Sequence, residues 1–279
     1  MRARIGGLAM ALGIVAISPA WADTTVTITS TTVDCQVPTP ADVPAPATPS
    51  AAAGNAAMQN RNFALARANF RPLAEAGDPE GERLYGALLM QKCTGLQDKE
   101  AAASWLGKSA DAGDAKAQAA LGHAYMNGEG VAQDDTKAFA LLSRAAAADR
   151  PAAQVDLGYL YLTGRGVAMD RYQGMVWTVK AAEQGMPAAL FNISNAYFKG
   201  EMLPQDNDRA AYFMTAAMQR STLAQRNRFA GDINQVTRAM SMADLARARM
   251  KALRWSPGQG SLSDVLDDAR RVQARTAKN

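Results

Sequence analysis

Apolar and small residues recur along the chain at the spacing of one helix face, and the whole pattern then repeats. Within residues 117–127 these positions are Ala117, Ala120, Leu121, Ala124 and Tyr125. Intervals of three and four residues are typical of an amphipathic α-helix. The pattern returns every 36 residues, so that Leu121, Leu157 and Ile193 occupy equivalent positions. A fixed period of this length predicts an array of small helical units that bury their apolar faces against one another.

Each unit is predicted to consist of two antiparallel helices joined by a glycine turn. Gly128 and Gly130 interrupt the first helix, because glycine adopts the left-handed conformation that a tight turn needs. Asp134 then suits the N-cap of the second helix, where its carboxylate accepts hydrogen bonds from free backbone N–H groups. Small residues should let the two helices approach closely at two sets of equivalent positions: Gly122, Gly158 and Ser194, and Ala145, Ala181 and Ala217.

The repeats are preceded and followed by other helical segments. Residues 51–76 are predicted to form a helix pair, and residues 80–112 a full repeat with a degenerate turn. Beyond Ser221 the period fails. Three further helices are predicted at Leu223–Met240, Ala243–Trp255 and Leu262–Thr276. They would cap the open end of the stack, as helical arrays require.

The N-terminus has the pattern of a cleaved signal peptide. Arg2 and Arg4 precede the apolar run Ile5–Ile17, and Ala20 and Ala22 are the small residues that a signal peptidase recognises. The apolar run is shorter than the roughly 20 residues that a membrane span needs. We therefore expect a signal peptide at residues 1–22 and a periplasmic protein that begins at Asp23, without stable membrane insertion.

These observations divide the chain into four segments. A Thr/Pro/Ala-rich stretch at residues 23–50 follows the signal peptide and is predicted to be an extended linker. The repeat solenoid is expected over residues 51–222 and the C-terminal helical cap over residues 223–279.

Charge is unevenly distributed along the chain. Residues 220–279 contain twelve Lys and Arg and five Asp, a net charge of 12 − 5 = +7. This basic end could face an acidic partner or an anionic membrane. The interleaving of Arg and Asp favours a solvated helical face instead. Nucleic acid is not expected as a partner, because the basic residues are not interleaved with aromatic residues.

Cys35 and Cys93 are the two cysteines of the chain. Export to an oxidising compartment predicts a disulfide between them. In the chain-entropy model a loop of this length contributes about 4 kcal/mol.

The sequence shows no residue pattern that is typical of catalysis or cofactor binding. His123 is the single histidine, which excludes a zinc site built from two histidines. As a catalytic base it would need a nucleophile and an orienting acid, and the sequence nominates neither. Helix capping explains Asp98, Asp134, Asp170 and Asp206 better than metal ligation does, because they recur at one place in each repeat. We predict no catalytic, cofactor-binding or metal-binding residues, no cofactor and no enzymatic activity.

The candidate functional surface is the face of each first helix that lies opposite Leu121 and Tyr125. Seven residues of this face are predicted to line a partner-binding groove: His123, Met126, Tyr159, Leu162, Phe191, Asn195 and Phe198. Contiguous exposed apolar surface usually marks an interaction site, and a helix docked in a groove is the natural mode. The alternative is that the C-terminal helices fold back over this strip and bury it.

The repeated motif resembles a known family. It comprises Leu121-Gly122, Tyr125, Gly128, Gly130-Val131, Asp134, Lys137-Ala138 and Ala145-Ala146. This pattern is similar to the Sel-1-like repeat, a relative of the tetratricopeptide repeat, and the resemblance covers about residues 80–218. The fourth copy departs from it, with Met202-Leu203 in place of Gly-Val. The family implies an all-α, right-handed α-solenoid that makes protein–protein contacts, in bacteria often in the cell envelope.

The expected function is therefore a non-enzymatic periplasmic scaffold, adaptor or regulator that binds a protein or peptide partner in its concave groove. The alternative is a cell-envelope hydrolase or binder acting on peptidoglycan, β-lactams or polysaccharide. A cysteine-rich branch of the family is linked to β-lactam binding, but it carries a cysteine pair in each repeat and this chain has one pair in total. Groove aromatics, Tyr159, Tyr197 and Phe198, would suit a polysaccharide.

Overall fold

Residues 42–92, 94–257 and 262–276 are described by the computed structural model, and they form α-helices without any strand. Ten helices form five consecutive pairs: α1 (Ala51–Gln59) and α2 (Phe63–Glu75), α3 (Pro79–Met90) and α4 (Lys99–Asp111), α5 (Ala115–Asn127) and α6 (Asp135–Ala147), α7 (Pro151–Thr163) and α8 (Arg171–Glu183), and α9 (Pro187–Lys199) and α10 (Asn207–Arg220). Four helices follow: α11 (Leu223–Arg228), α12 (Ala230–Arg238), α13 (Met242–Leu253) and α14 (Ser263–Thr276). The predicted signal peptide, most of the predicted linker and both cysteines lie outside the described residues. The disulfide therefore stays a prediction.

The second helix of each repeat begins at an aspartate, as predicted. The carboxylates of Asp98, Asp134, Asp170 and Asp206 each accept a hydrogen bond of 2.9 Å from the backbone N–H three residues later. This is the bond of a helix N-cap, and replacing such a residue by alanine typically costs about 1 kcal/mol. The aspartates recur because each repeat needs its second helix to start at the same point.

The two helices of a repeat approach closely where the first helix carries a small residue. A Cβ atom at Gly122 would lie 2.7 Å from Leu142 Cγ, and one at Gly86 would lie 2.9 Å from Leu106 Cγ. Separations below 3.0 Å are not tolerated by packed carbon atoms, so glycine sets the distance between the helices. The predicted role of the small residues at these positions is confirmed.

Consecutive repeats also meet at a glycine. Gly130 has a φ angle of 72°, and a Cβ atom there would lie 2.0 Å from the carbonyl oxygen of Lys99 at the start of α4. Gly166 has a φ angle of 68°, and a Cβ atom there would lie 2.1 Å from the carbonyl oxygen of Asp135 at the start of α6. Each turn therefore rests on the first residue of the second helix in the preceding repeat.

An ion pair accompanies each of these glycine contacts. Arg165 donates to both carboxylate oxygens of Asp135, at 2.9 and 2.6 Å, and to the carbonyl oxygen of Met126 at 2.7 Å. One repeat earlier the charges are exchanged, with Lys99 3.4 Å from Glu129. Oppositely charged side chains at the same two positions thus hold neighbouring repeats together in both cases, although the acidic and the basic residue are exchanged.

The first helices of successive repeats contact one another, at α1–α3, α3–α5 and α5–α7. Successive second helices make no comparable contact among the described residues. The array therefore curves toward the first helices, which line its concave side, whereas the second helices lie on the outside.

The C-terminal helices cover the last two repeats. α13 packs on α10, and α14 packs on α8. Asp268 of α14 is buried and accepts a 3.0 Å hydrogen bond from the Tyr197 hydroxyl, and it also pairs with Arg209. Because Tyr197 is fully buried, desolvation raises its pKa above the ordinary value. This network attaches α14 to both helices of the last repeat.

One predicted helix of the C-terminal region is different in the structure, and the fourth turn, which departs from the motif, packs against this region. The predicted helix over residues 223–240 is broken into α11 and α12 at Phe229, whose φ and ψ of −98° and 11° allow its ring to stack on Phe191. In the fourth turn, Met202 replaces the glycine and packs against the C-terminal part of the core, beside Ala269 and Val272 of α14.

Gly166→Ala should destabilise the protein, whereas Gly107→Ala should not. At Gly166 an alanine meets the Asp135 carbonyl in a left-handed backbone, where strain alone costs about 1–2 kcal/mol. Gly107 lies inside α4 with nothing within 4 Å of its added Cβ, and alanine favours a helix interior by about 0.5–1 kcal/mol. Thermal unfolding followed by circular dichroism should show Gly166→Ala melting about 4 °C or more below the wild type. Equal melting temperatures of the two variants would contradict the proposed repeat contact.

Candidate functional site

A groove of about 670 Å³ runs along the concave side between α3, α5 and α7. Its apolar lining consists mainly of short side chains, with three larger ones beside them: Ala87, Ala119, Ala120, Ala124 and Ala152, and Met90, Leu106 and Pro151. Charged residues of both signs stand around it: Lys116, Glu129, Arg150 and Asp156. Because alanines fill little space between neighbouring first helices, the groove stays open to solvent.

His123 of α5 is held at the edge of this groove by residues from two helices. Its Nδ1 lies 2.9 Å from the Asp156 carboxylate of α7, and its Nε2 lies 2.9 Å from the side-chain amide nitrogen of Asn127. In the neutral imidazole, Nδ1–H donates to Asp156 and Nε2 accepts from the Asn127 amide. The network bridges two repeats across the groove.

The hydrogen bond that His123 donates to the Asp156 carboxylate raises the pKa of His123 above its ordinary value. Partial desolvation opposes this shift, whereas the charges of Asp156 and Glu129 add to it. The charge of Arg228, which follows the last repeat, lowers the pKa slightly. The ring is half-exposed, so its protonation can respond both to pH and to a bound partner.

Of the seven predicted groove residues, His123 and Tyr159 are exposed. The Tyr159 ring is 42% accessible, and the Arg165 guanidinium lies 5.8 Å from its centre. They occupy equivalent positions in adjacent repeats, one turn beyond the residues that form the groove floor. The third residue in this series, Asn195, is half-buried.

Three of the predicted residues turn toward the core instead. Met126 is 8% exposed. Leu162 packs so closely on α8 that a Cβ atom added at Gly174 would lie 2.6 Å from the Cγ atom of Leu162. Phe198 packs half-buried against the C-terminal part of the core. In each case a small residue lies four positions earlier in the chain, as Gly122 does before Met126. Residues four apart share a helix face, and that face packs on the second helix.

Phe191 is also unavailable, because the C-terminal segment covers it. Its ring is 4% exposed and stacks on Phe229, with a centroid distance of 4.3 Å and an interplanar angle of 24°. Val155 packs against the same part of the core. The two alternatives considered from the sequence, an open groove and a strip buried by the C-terminal helices, therefore each apply to a part of this surface. The junction of α11 and α12 covers the strip at Phe191, whereas the groove between α3, α5 and α7 stays open.

Several residues of the groove were not predicted from the sequence. Asp156, Lys116 and Arg150 are charged residues outside the repeated motif, and Ala87 and Met90 belong to the repeat with the degenerate turn. A signal for Asp156 was present, since it precedes Tyr159 by three residues and so shares its helix face. Alanines such as Ala87 carry no comparable signal.

The apolar lining of the groove is suited to the docking of another molecule. None of the described residues that line the groove carries a hydroxyl or thiol group, so the His123–Asp156 pair has no Ser, Thr or Cys nucleophile there. Within the described part of the chain, no cluster of three or more His, Cys, Asp or Glu side chains could hold a metal ion. None of its helices is long and apolar enough to cross a membrane.

Asp156→Asn should lower the pKa of His123, because the hydrogen bond to the carboxylate is the largest cause of the raised value. Since this is the only histidine, NMR titration of one imidazole measures the change without ambiguity. Glu129→Gln is the control, with a smaller decrease, because Glu129 acts only through its charge.

The same bond should make stability depend on pH. A raised pKa in the folded state stabilises the protein below the unfolded value of about 6.5, and the contribution disappears as the pH rises through the folded pKa. The stability difference between the wild type and Asp156→Asn should therefore be larger at mildly acidic than at alkaline pH. A pKa of His123 unchanged in Asp156→Asn would show that the bond does not form.

Comparison with known proteins supports the repeat assignment. Four consecutive segments match the Sel1 repeat: residues 83–114, 115–149, 151–186 and 187–219. They correspond to the helix pairs α3–α4, α5–α6, α7–α8 and α9–α10. No curated protein is significantly similar to the chain.

Two solved structures have a similar fold. A protective antigen present in uropathogenic Escherichia coli strains, which displays an SLR fold, is 29% identical with a TM-score of 0.58; the match covers 81% of this chain and 46% of that chain. A Sel1 repeat protein from Oxalobacter formigenes is 24% identical with a TM-score of 0.51, and the match covers 65% of this chain and 57% of that chain. The second likeness concerns the fold alone. The chain thus spans about half the length of both proteins.

The same repeat unit accounts for the glycine turns, the aspartate caps, the four matching segments and the shared solenoid fold. The chain therefore belongs to the Sel1 repeat proteins.

Proposed function

We propose that the protein is a non-enzymatic periplasmic scaffold, adaptor or regulator that binds a segment of a partner protein in the groove between α3, α5 and α7. Sel1 repeat proteins are generally protein-interaction scaffolds. The observation that carries the proposal is the open, alanine-lined groove on the concave side. The periplasmic location rests on the predicted signal peptide.

The shape of the groove suits a partner that supplies the larger side chains. Its floor consists of Ala87, Ala119 and Ala120, so a bound helix or extended segment can insert apolar side chains between the first helices. Burial of apolar surface contributes about 25 cal/mol per Å². Such a segment would displace water from the apolar lining and leave the charged rim in solvent.

The charged rim would orient the partner. Lys116 and Arg150 provide positive charge, and Glu129 and Asp156 provide negative charge. A rim with both signs selects a complementary arrangement on the partner and disfavours segments with the reverse arrangement. His123 adds a charge that depends on pH at the edge of the same surface.

The alternative function is that of a cell-envelope hydrolase or binder acting on peptidoglycan, β-lactams or polysaccharide. The His123–Asp156 pair is the observation that favours hydrolysis, since an acid that orients a histidine is part of many hydrolytic sites. Among the described residues that line the groove, none offers a hydroxyl or thiol nucleophile to this pair. For polysaccharide binding, Tyr197 is unsuitable because it is fully buried, which leaves Tyr159 as the exposed aromatic residue of the three considered.

Ala119→Arg should abolish partner binding, whereas Ala140→Arg should not. Both are alanines within helices, but Ala119 lines the groove and Ala140 is exposed on α6, a second helix on the outside. An arginine side chain at position 119 would occupy the space that the bound segment needs and would have to be desolvated beneath it, which lowers affinity by about tenfold or more. Affinity purification of the two variants after crosslinking in cells, with mass spectrometry, compares the recovered proteins.

The proposal requires one predominant protein that is recovered with the wild type and with Ala140→Arg and is lost with Ala119→Arg. Equal melting temperatures of the two variants would show that folding is not the cause. The alternative would be supported instead if the wild type is retained on peptidoglycan or polysaccharide, or hydrolyses a chromogenic β-lactam, and if Ala119→Arg abolishes this property. Equal recovery of partners with both variants would contradict groove binding.

A further inference from the structure

Helix α13 has two apolar faces, and the last repeat covers one of them. Leu245, Ala248 and Ala252 are buried, and this side packs on α10. Met242, Met250 and Leu253 are 56%, 56% and 57% exposed. With 100° between successive residues, these three side chains and the exposed Ala246 lie within about 80° of one another. They form a continuous apolar stripe on the solvent-exposed face, which we call the outer face and which is separate from the buried side.

Basic residues stand on both sides of this outer stripe. Arg249 lies along one edge, and Arg247, Lys251 and Arg254 lie along the other. With Asp244, the helix and its C-cap carry a net charge of 4 − 1 = +3. Arg247 pairs with Asp244, and the remaining basic side chains are exposed to solvent. The stripe is thus an apolar ridge with one arginine along one edge and several basic residues along the other.

This arrangement disfavours a second copy of the chain as the occupant. Two such helices placed face to face would bring like charges together along both edges, which is destabilising. A protein partner would need a groove deep enough for a convex ridge and negative charge on both of its walls. An anionic lipid surface has the required chemistry without any such shape, since its phosphates surround each inserted apolar side chain.

We propose that the outer face of α13 binds an anionic lipid surface. Met242, Met250 and Leu253 would enter the boundary between headgroups and acyl chains, with the helix parallel to the membrane. Arg249, Lys251 and Arg254 would lay their aliphatic stems along this boundary and place their charges at the phosphates. The protein would then lie on the membrane with α13, while the groove between α3, α5 and α7 stays a separate surface.

The test is co-sedimentation of the purified full chain with phosphatidylcholine vesicles, with and without phosphatidylglycerol. We expect binding only to the vesicles that contain phosphatidylglycerol, and we expect added salt to weaken it. Replacing Arg249, Lys251 and Arg254 together by Gln should weaken binding by about a hundredfold, at roughly fivefold for each basic residue near the surface.

A second variant tests the apolar stripe against a matched control. Replacing Met242, Met250 and Leu253 by Gln should abolish sedimentation. Leu65 and Met169 lie on other parts of the chain and are 36% and 59% exposed. Replacing these two residues by Gln should leave sedimentation unchanged. Melting temperatures of both variants identify any loss that is due to unfolding.

Three results would overturn the proposal. The first is absence of wild-type binding to the phosphatidylglycerol vesicles, and the second is equal binding of the wild type and both α13 variants. The third is a dimer, seen by analytical ultracentrifugation, that dissociates when the stripe is replaced; the stripe would then bind a second copy of the chain.

Discussion

The contact between each turn glycine and the second helix of the preceding repeat is the constraint on which the rest of the structure depends. Gly130 and Gly166 bring the turn against a backbone carbonyl at a distance that leaves no room for a Cβ atom. Within each repeat, Gly86 and Gly122 set the separation of the two helices in the same way. Because these contacts recur in phase, the first helices are brought side by side on the concave surface, and the groove follows from their spacing.

The groove exists because the first helices carry alanine where a compact core would have larger residues. At the C-terminal end the space is filled, since Phe191 and Phe229 stack there. Between α3, α5 and α7 no such pair closes it, and the His123–Asp156 hydrogen bond joins α5 to α7 at its edge. The same helices therefore supply core on one side and an accessible surface on the other.

The repeat unit was predictable from the sequence because its determinants are local. Helix periodicity, turn glycines and aspartate caps act within a few residues, and Asp134 and Asp170 cap the helices that their positions predicted. The groove was only partly predictable. Placing Met126 in it failed because the face shared with Gly122 packs on α6, and placing Phe191 in it failed because Phe229, 38 residues away, covers the ring. Contacts across such separations depend on how the C-terminal helices fold back, which no local pattern specifies.

Photo-crosslinking at single positions tests the central claim, that the concave groove is where a partner protein binds, most directly. A photoreactive amino acid placed in cells at Ala87 or Ala152 would lie in the groove, whereas one at Ser104 or Ala140 would lie exposed on a second helix. The account predicts an adduct with the same protein from both groove positions and none from the two outer positions. An adduct with that protein from the outer positions alone would contradict it.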